Sequence, residues 1–176
     1  GEDTPFYFWK DEVVDRISKE ISNCKFLVIL RNPIDRAYSN YQLGKRTNVE
    51  SSTFEEAIHR EMKTLQNNIE REHFDNKYSY IAKGIYHIQL KMWYKKLPRE
   101  NFLVLSTEEL SSKPTNTLNR VYNFLSIPEY ELKKPHKKKF EEYEHMSDSI
   151  REELSEYFKP HNEELYSMLG RRFEWN

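Results

Sequence analysis

Residues 25–39, KFLVILRNPIDRAYS, join an apolar run to a helix start, and this stretch decides the fold. The apolar run is unbroken rather than alternating, which is typical of a parallel strand covered on both faces. Asn32 can cap a helix that begins at Pro33, a residue type favoured in the first turn. Parallel sheets bind ligands at the carboxyl ends of their strands, so Arg31 is expected beside a helix N-terminus that favours anions. The stretch therefore predicts an anion-binding strand–loop–helix unit.

Two side chains of this unit are candidates for holding a phosphate group. The Arg31 guanidinium can donate two parallel hydrogen bonds to a phosphate. Ser39 shares a helix face with Arg36 and can add a neutral hydroxyl donor. A structural alternative pairs Arg31 with Asp35 and leaves Ser39 as a small surface residue, and spacing alone does not decide between the two.

The rest of the chain alternates helical patterns with a second apolar run. Residues 101–106, NFLVLS, predict another buried parallel strand. Apolar stripes predict helices over residues 13–21, 54–69, 80–96 and 118–125, the second with a Thr53–Glu56 capping box and the last opened by Pro114. A broken helical pair is predicted around Pro160, ending at Gly170. This order predicts an α/β fold, a parallel sheet flanked by helices.

Length, charge and cysteine content narrow the class of protein. The 176 residues suffice for a core, so residues 1–176 are predicted to form a single domain. A formal net charge of −1 argues against nucleic acid as a partner, and no apolar run is long enough for a membrane span. The single cysteine, Cys24, predicts a reducing compartment, taken as the cytoplasm. The six histidines show no metal-ligand spacing, so no metal is predicted.

Residues 25–41, KFLVILRNPIDRAYSNY, resemble the 3′-phosphate-binding segment of sulfotransferases that use 3′-phosphoadenosine-5′-phosphosulfate (PAPS), especially the heparan sulfate N-sulfotransferase type and its bacterial relatives. Three more stretches are similar to that family in the same order: YIAKGIY (80–86), LPRENFLVLSTEEL (97–110) and FKPHNEELYSMLGRRFEW (158–175). The resemblance implies a P-loop-NTPase-like fold. It also implies an enzyme that moves a sulfonate from PAPS, its co-substrate, to a hydroxyl or an amine.

The resemblance implies roles for particular residues. Arg31 and Ser39 match the arginine and the serine that hold the 3′-phosphate of the donor. The opening GEDTP is similar to the short segment, commonly GEKSP, that carries the catalytic carboxylate, so Glu2 is the expected general base. Asp3 departs from the usual lysine, and a second carboxylate there could raise the pKa of Glu2.

The donor phosphates require further basic groups. The lysine run that includes Lys137, Lys138 and Lys139 matches a basic loop that closes over them, although Phe140-Glu141-Glu142 replaces its glycine-containing part. The family also carries an upstream strand and a lysine- and glycine-bearing loop, and no glycine of this chain lies in such a loop. We therefore expect an N-terminally truncated domain that lacks the first strand and its loop, and little turnover if the chain is complete.

Two other classes of function stay open. An ATP-dependent phosphotransferase of related fold would normally carry a G-x-x-x-x-G-K-[ST] loop, which this sequence does not contain. A non-catalytic nucleotide-binding or interaction module would keep the fold without turnover. The sequence does not define the acceptor, for which carbohydrates, small metabolites and lipids are candidates, nor the oligomeric state.

Overall fold

The computed structural model of the chain describes residues 5–21, 23–65, 79–130 and 145–175. Two strands, β1 (Phe26–Leu30) and β2 (Phe102–Ser106), pair in parallel. The register runs from Phe26 opposite Phe102 to Leu30 opposite Ser106, so both strands end at the same edge of the sheet. Both predicted strands and their parallel pairing are confirmed.

Helices precede, connect and follow the strands. They are α1 (Asp11–Glu20), α2 (Pro33–Arg46), α3 (Phe54–Leu65), α4 (Tyr86–Tyr94), α5 (Thr107–Ser112), α6 (Pro114–Leu125) and α7 (Asp148–Leu169), with 3-10 turns at Pro5–Trp9, Ala82–Gly84 and Arg99–Asn101. None of these helices is both long and apolar enough to cross a membrane, over the ranges that the structure describes. The predicted class, a parallel sheet flanked by helices, is confirmed.

Capping residues define where two of the helices begin. At α3, the Thr53 N–H donates to Glu56 Oε2 (2.8 Å) and the Glu56 N–H donates to Thr53 Oγ1 (3.2 Å), which is the predicted capping box. Ser106 and Glu109 form a second reciprocal box at the start of α5. Because Ser106 is both the last residue of β2 and the cap of α5, Glu108 and Glu109 lie at the carboxyl end of β2.

The helix predicted over residues 80–96 begins later than expected. Residues 82–84 form a 3-10 turn, and α4 begins only at Tyr86 because Ile85 has a ψ of 68°, outside the helical range. The Gly84 N–H donates to the Ile81 carbonyl, whereas an α-helix would direct it to the Tyr80 carbonyl. That carbonyl instead accepts a hydrogen bond from the Arg36 side chain. A side chain from another helix therefore replaces the first helical bond.

The helical pair predicted around Pro160 is in fact one helix. Helix α7 continues through Pro160 and ends at Gly170, whose φ of 65° is the left-handed cap expected from the sequence. Proline removes one backbone hydrogen bond. Leu154, Phe158 and Leu165, on both sides of the proline, are each at most 1% exposed. Burial of this apolar stripe outweighs the cost of the hydrogen bond lost at Pro160, so the prediction of a broken helical pair was wrong.

Strand β1 differs from the prediction on one face. Leu30 is buried, but Leu27 is 41% exposed and Ile29 is 54% exposed. These two side chains alternate with Val28, so they share a face of the sheet. The described helices leave that face of β1 open to solvent. The expectation that β1 is covered on both faces is therefore wrong for the part of the chain that the structure describes.

Two histidines meet where α4 packs against α7. His87 Nε2 lies 3.1 Å from His161 Nδ1, and the two rings stack with centroids 5.4 Å apart. Burial, together with the charges of His161 and Lys91, lowers the pKa of His87 to about 4, and only Glu164 opposes this effect. Burial also lowers the pKa of His161. The packed interface therefore favours the neutral form of both rings.

We expect the protein to lose stability as the pH falls from about 6.5, the ordinary pKa of histidine, towards 4. In this range His87 binds a proton in the unfolded chain but not in the folded protein. The stability that neutral His87 contributes is therefore complete above pH 6.5 and is lost as the pH falls. Thermal unfolding measured from pH 8 to pH 4 tests this. His87→Gln should flatten the slope, whereas His145→Gln, at an exposed site, should not. An equal slope in wild type and His87→Gln would contradict the expectation.

Candidate functional site

The predicted strand–loop–helix unit is present at the carboxyl end of β1. Asn32 is 5% exposed, and its Oδ1 accepts a hydrogen bond from the Ile34 N–H at 2.9 Å. This caps α2, whose first residue is Pro33. Arg31 lies between the last residue of β1 and this cap, and its side chain is half-buried. The unit therefore places a guanidinium beside a helix N-terminus, where negative charge is favoured.

The structural alternative for Arg31 is not found. Asp35, its proposed partner, pairs with Arg151 of α7, with Arg151 Nη2 2.6 Å from Asp35 Oδ1. Among the residues that the structure describes, none forms an ion pair with the Arg31 guanidinium. Ser39 lies in the second turn of α2 and is half-buried. An anion can therefore compete for Arg31 without displacing an ion pair of the described fold.

A single peptide group between Arg31 and Asn32 is bound on both of its edges. The Tyr86 hydroxyl donates to the Arg31 carbonyl at 2.9 Å, and the Asn32 N–H donates to Glu108 Oε1 at 2.9 Å. Tyr86 begins α4, and Glu108 lies in the first turn of α5. Burial raises the pKa of Tyr86, so its hydroxyl stays protonated and can donate.

The Glu108 carboxylate also binds the end of the chain. Its Oε2 accepts a hydrogen bond from Trp175 Nε1 at 3.1 Å. Burial pushes the pKa of Glu108 upward, but hydrogen bonds that include those from Asn32 and Trp175 outweigh it and hold the pKa below its usual value. Glu108 is therefore ionised at neutral pH. The Trp175 ring packs on Phe173 and also contacts Tyr86, with centroids 4.6 Å and 5.9 Å away.

Tyr80 forms hydrogen bonds through its N–H, its carbonyl and its hydroxyl group. Glu61 of α3 accepts hydrogen bonds from the Tyr80, Ile81 and Ala82 N–H groups at 2.6, 2.8 and 2.9 Å. Arg36 donates to the Tyr80 carbonyl, and the Tyr80 hydroxyl donates to Glu50 Oε2 at 3.1 Å. Residues 80–82 are therefore fixed to α2 and α3 before the chain turns into α4.

Arg36 supports the fold rather than lining an open anion site. Sequence analysis placed it on one helix face with Ser39, but its side chain reaches the backbone of Tyr80. Burial lowers the pKa of Arg36, although the nearby Tyr86 and Glu61 oppose this effect. Its Nε is buried without a hydrogen-bond partner among the described residues. Arg36 therefore holds the backbone of Tyr80, at the start of the segment that leads to Tyr86.

Gly84 lets the 3-10 turn lie directly against α2 and α7. A Cβ added at Gly84 would lie 3.0 Å from Pro33 Cβ and 3.0 Å from two ring atoms of Phe158. Phe158 is fully buried, and Pro33 is fixed by its ring, so neither can move away easily. The close approach brings the residues before Tyr86 next to the start of α2.

We expect Gly84→Ala to lower the free energy of unfolding by about 1–3 kcal/mol, the usual cost of overpacking a core. Urea denaturation of both proteins measures the difference. Gly84→Val should cost more, because its branches meet the same two neighbours. Gly170→Ala is a control with nothing within 4 Å of the new Cβ, so its cost comes only from the positive φ. An unchanged midpoint for Gly84→Ala would show that Pro33 or Phe158 yields.

The remaining predicted site residues lie outside the described ranges. Glu2 belongs to residues 1–4, and Lys137, Lys138 and Lys139 belong to residues 131–144. The structure therefore tests neither the general base nor the basic loop. Within the described ranges it adds Tyr86, Glu108 and Trp175 to the site. Tyr86 is 5% exposed, and the sequence alone did not identify its hydroxyl as a donor.

Glu108 carried a signal that sequence analysis did not use. Residues 106–109, STEE, form a capping box directly after the second strand. Because parallel strands end at one edge of the sheet, acidic residues at this box lie beside the loop that follows the first strand. The capping box thus indicated that an acidic side chain would lie close to Asn32.

A strand-end arginine beside a capped helix, on a parallel sheet flanked by helices, is an arrangement typical of α/β domains that bind phosphorylated ligands. The chain belongs to the sulfotransferase domain family, which matches residues 14–165. This confirms the resemblance seen in the sequence.

Individual relatives agree with this assignment. Heparan sulfate glucosamine 3-O-sulfotransferase 3B1 of Mus musculus is 30% identical over 201 residues, covering 99% of this chain and 49% of the relative. Membrane-associated sulfotransferase kil1 of Dictyostelium discoideum is 22% identical, covering 99% and 53%. A crystal structure of a sulfotransferase from Alicyclobacillus acidocaldarius superposes with a TM-score of 0.76 at 26% identity, covering 96% of this chain and 63% of that one. The chain therefore spans about half the length of these curated relatives.

Proposed function

We propose that the protein transfers a sulfonate group from PAPS to a hydroxyl or an amine. The observation that supports this most directly is the position of Arg31, at the end of β1 and beside the capped start of α2, in a chain of the sulfotransferase family. A guanidinium without an ion pair in the described fold, next to a helix N-terminus, suits a phosphate dianion. The described residues therefore fit the 3′-phosphate of PAPS.

The proposed reaction needs positive charge on the donor and a base for the acceptor. In our proposal Arg31 and Ser39 bind the 3′-phosphate, and Lys137, Lys138 and Lys139 neutralise the charge of the donor phosphates. Glu2 takes the proton of the acceptor. The S–O bond to the 5′-phosphate breaks as the new bond from the acceptor to sulfur forms, and 3′-phosphoadenosine 5′-phosphate (PAP) leaves. The roles of Glu2 and of the lysines rest on the family resemblance.

A carbohydrate hydroxyl is the acceptor that we favour. Several relatives that match almost the whole chain are named heparan sulfate glucosamine 3-O-sulfotransferases. The acceptor proposed for this chain is accordingly a sugar hydroxyl, with small metabolites and lipids as alternatives. We keep the cytoplasm as the proposed location, on the evidence of one cysteine, Cys24, which has no disulfide.

Calorimetric titration with PAP and with ADP tests the donor site. The protein, expressed from its complete reading frame, should bind PAP more tightly than ADP. It should also move sulfur-35 from labelled PAPS to a carbohydrate hydroxyl. Preference for ADP or ATP would favour a phosphotransferase, whereas PAP binding without transfer to any acceptor class would favour a non-catalytic module. The absence of PAP binding would refute the proposal.

A further inference from the structure

We propose that Glu108 and Trp175 are positioning residues for the donor, and that recognition of the 3′-phosphate depends on the C-terminal end of the chain through them. Neither side chain is assigned to contact the donor. Both act on the peptide group that joins Arg31 to Asn32. This inference rests on the proposed function, because it assumes that Arg31 binds the 3′-phosphate.

The peptide group between Arg31 and Asn32 is held by two hydrogen bonds. Its carbonyl, from Arg31, accepts from the Tyr86 hydroxyl, and its N–H, from Asn32, donates to Glu108. The two bonds act on opposite edges of one rigid plane. Rotation of that plane changes ψ of Arg31 and φ of Asn32, so the two bonds fix the backbone from which the Arg31 side chain extends. With both bonds formed, the backbone at Arg31 is held in one conformation before the donor arrives.

Trp175 connects the two bonds that hold the peptide. Its indole N–H donates to Glu108 Oε2 at 3.1 Å, and its ring lies against Tyr86 with centroids 5.9 Å apart. One side chain thus contacts both partners of the Arg31–Asn32 peptide. The tail that carries it is further fixed by Arg171 Nη2, which lies 2.6 Å from Glu109 Oε1. Arg171 and Trp175 therefore connect the C-terminal part of the described chain to the groups around the Arg31–Asn32 peptide.

A carboxylate is the group that this position requires. The two oxygens of Glu108 accept from two different N–H donors, those of Asn32 and Trp175. A glutamine in the same place offers one carbonyl oxygen and directs its own N–H groups at the other donor. Glu108→Gln must therefore lose one of the two bonds, although its size is unchanged. Trp175→Phe removes the indole N–H that donates to Glu108 and keeps an aromatic ring beside Tyr86.

The test compares PAP with adenosine 5′-phosphate, which lacks the 3′-phosphate. We expect Glu108→Gln and Trp175→Phe each to weaken PAP binding about tenfold, the effect of one lost charge-assisted hydrogen bond. Binding of adenosine 5′-phosphate should change less than about twofold, because this nucleotide has no 3′-phosphate that could contact Arg31. The ratio of the two affinities, measured by calorimetry on the complete protein, is the readout that a merely structural role would not move.

Matched controls separate positioning from stability. Trp93→Phe removes an indole N–H that donates to the Phe8 carbonyl, away from the turn. Glu56→Gln changes a carboxylate that accepts a backbone N–H at the start of α3. Both should leave the affinity ratio unchanged, even if they lower the melting temperature.

Each outcome bears on the inference. A selective loss of PAP affinity in both variants supports it. Equal loss for both nucleotides, or no loss in variants that melt cooperatively, overturns it and leaves the proposed donor site intact. A wild-type protein that does not distinguish PAP from adenosine 5′-phosphate refutes the donor site itself, and the inference with it. If Glu108→Gln does not fold, Trp175→Phe alone decides.

Discussion

Arg31→Ala should abolish the preference for PAP over ADP and lower PAP affinity about 100-fold or more. A guanidinium that binds a phosphate through two charge-assisted hydrogen bonds contributes about 1.5–3 kcal/mol for each bond. Removal of both bonds corresponds to at least two powers of ten in affinity. ADP lacks a 3′-phosphate, so its affinity should change little. Calorimetric titration of both nucleotides into wild type and variant measures the effect.

The same variant should remain folded, which makes the result easy to interpret. Arg31 has no ion-pair partner among the described residues, so its removal leaves no buried charge behind. Arg31→Lys should recover part of the affinity, because lysine keeps the charge but cannot form the two parallel bonds. Arg120→Ala is the control, since Arg120 pairs with Glu109 outside the turn. PAP affinity that survives Arg31→Ala would mean that another cation holds the 3′-phosphate.

Local sequence signals predicted the elements and part of the site. Strands β1 and β2 follow from unbroken apolar runs, and the starts of α2 and α3 follow from Asn32 and from the Thr53–Glu56 box. Each of these signals lies within a few residues of the structure that it specifies, so it does not depend on the rest of the fold. Position at the end of β1 made Arg31 a candidate anion ligand, and the family resemblance favoured this role over an ion pair with Asp35.

The contacts that fix the Arg31–Asn32 peptide could not be predicted in this way. The partner Tyr86 is 55 residues from Arg31, Glu108 is 76 from Asn32, and Trp175 is 67 from Glu108. Periodicity shows that a residue is buried, but not which distant group it meets. Pro160 illustrates the converse, because tertiary packing overrides a strong local signal. The exposed Leu27 and Ile29 show that an apolar run does not itself supply the element that would cover it.

Glu61→Ala is expected to be the most destabilising change among the residues around the site. Its carboxylate satisfies the N–H groups of Tyr80, Ile81 and Ala82, three residues that are at most 1% exposed. A buried donor left without a partner costs about 1–3 kcal/mol, so loss of all three should lower the free energy of unfolding by about 3–5 kcal/mol. Urea denaturation followed by fluorescence and by circular dichroism measures this loss and tests whether unfolding is two-state.

Glutamine and a second glutamate provide the comparison that makes this prediction specific. Burial raises the pKa of Glu61, and the three N–H groups and Arg36 only partly oppose this effect. A neutral side chain is therefore less costly at this position than at an exposed site. Glu61→Gln should therefore be milder than Glu61→Ala, since its carbonyl oxygen can still accept from two of the three donors. Glu56→Ala, on the same helix but exposed, should cost much less. Equal losses for Glu61→Ala and Glu56→Ala would mean that water replaces the Glu61 carboxylate at residues 80–82. The turn before Tyr86 would then owe its shape to the packing of Gly84 and to the hydrogen bonds that Tyr80 forms with Arg36 and Glu50.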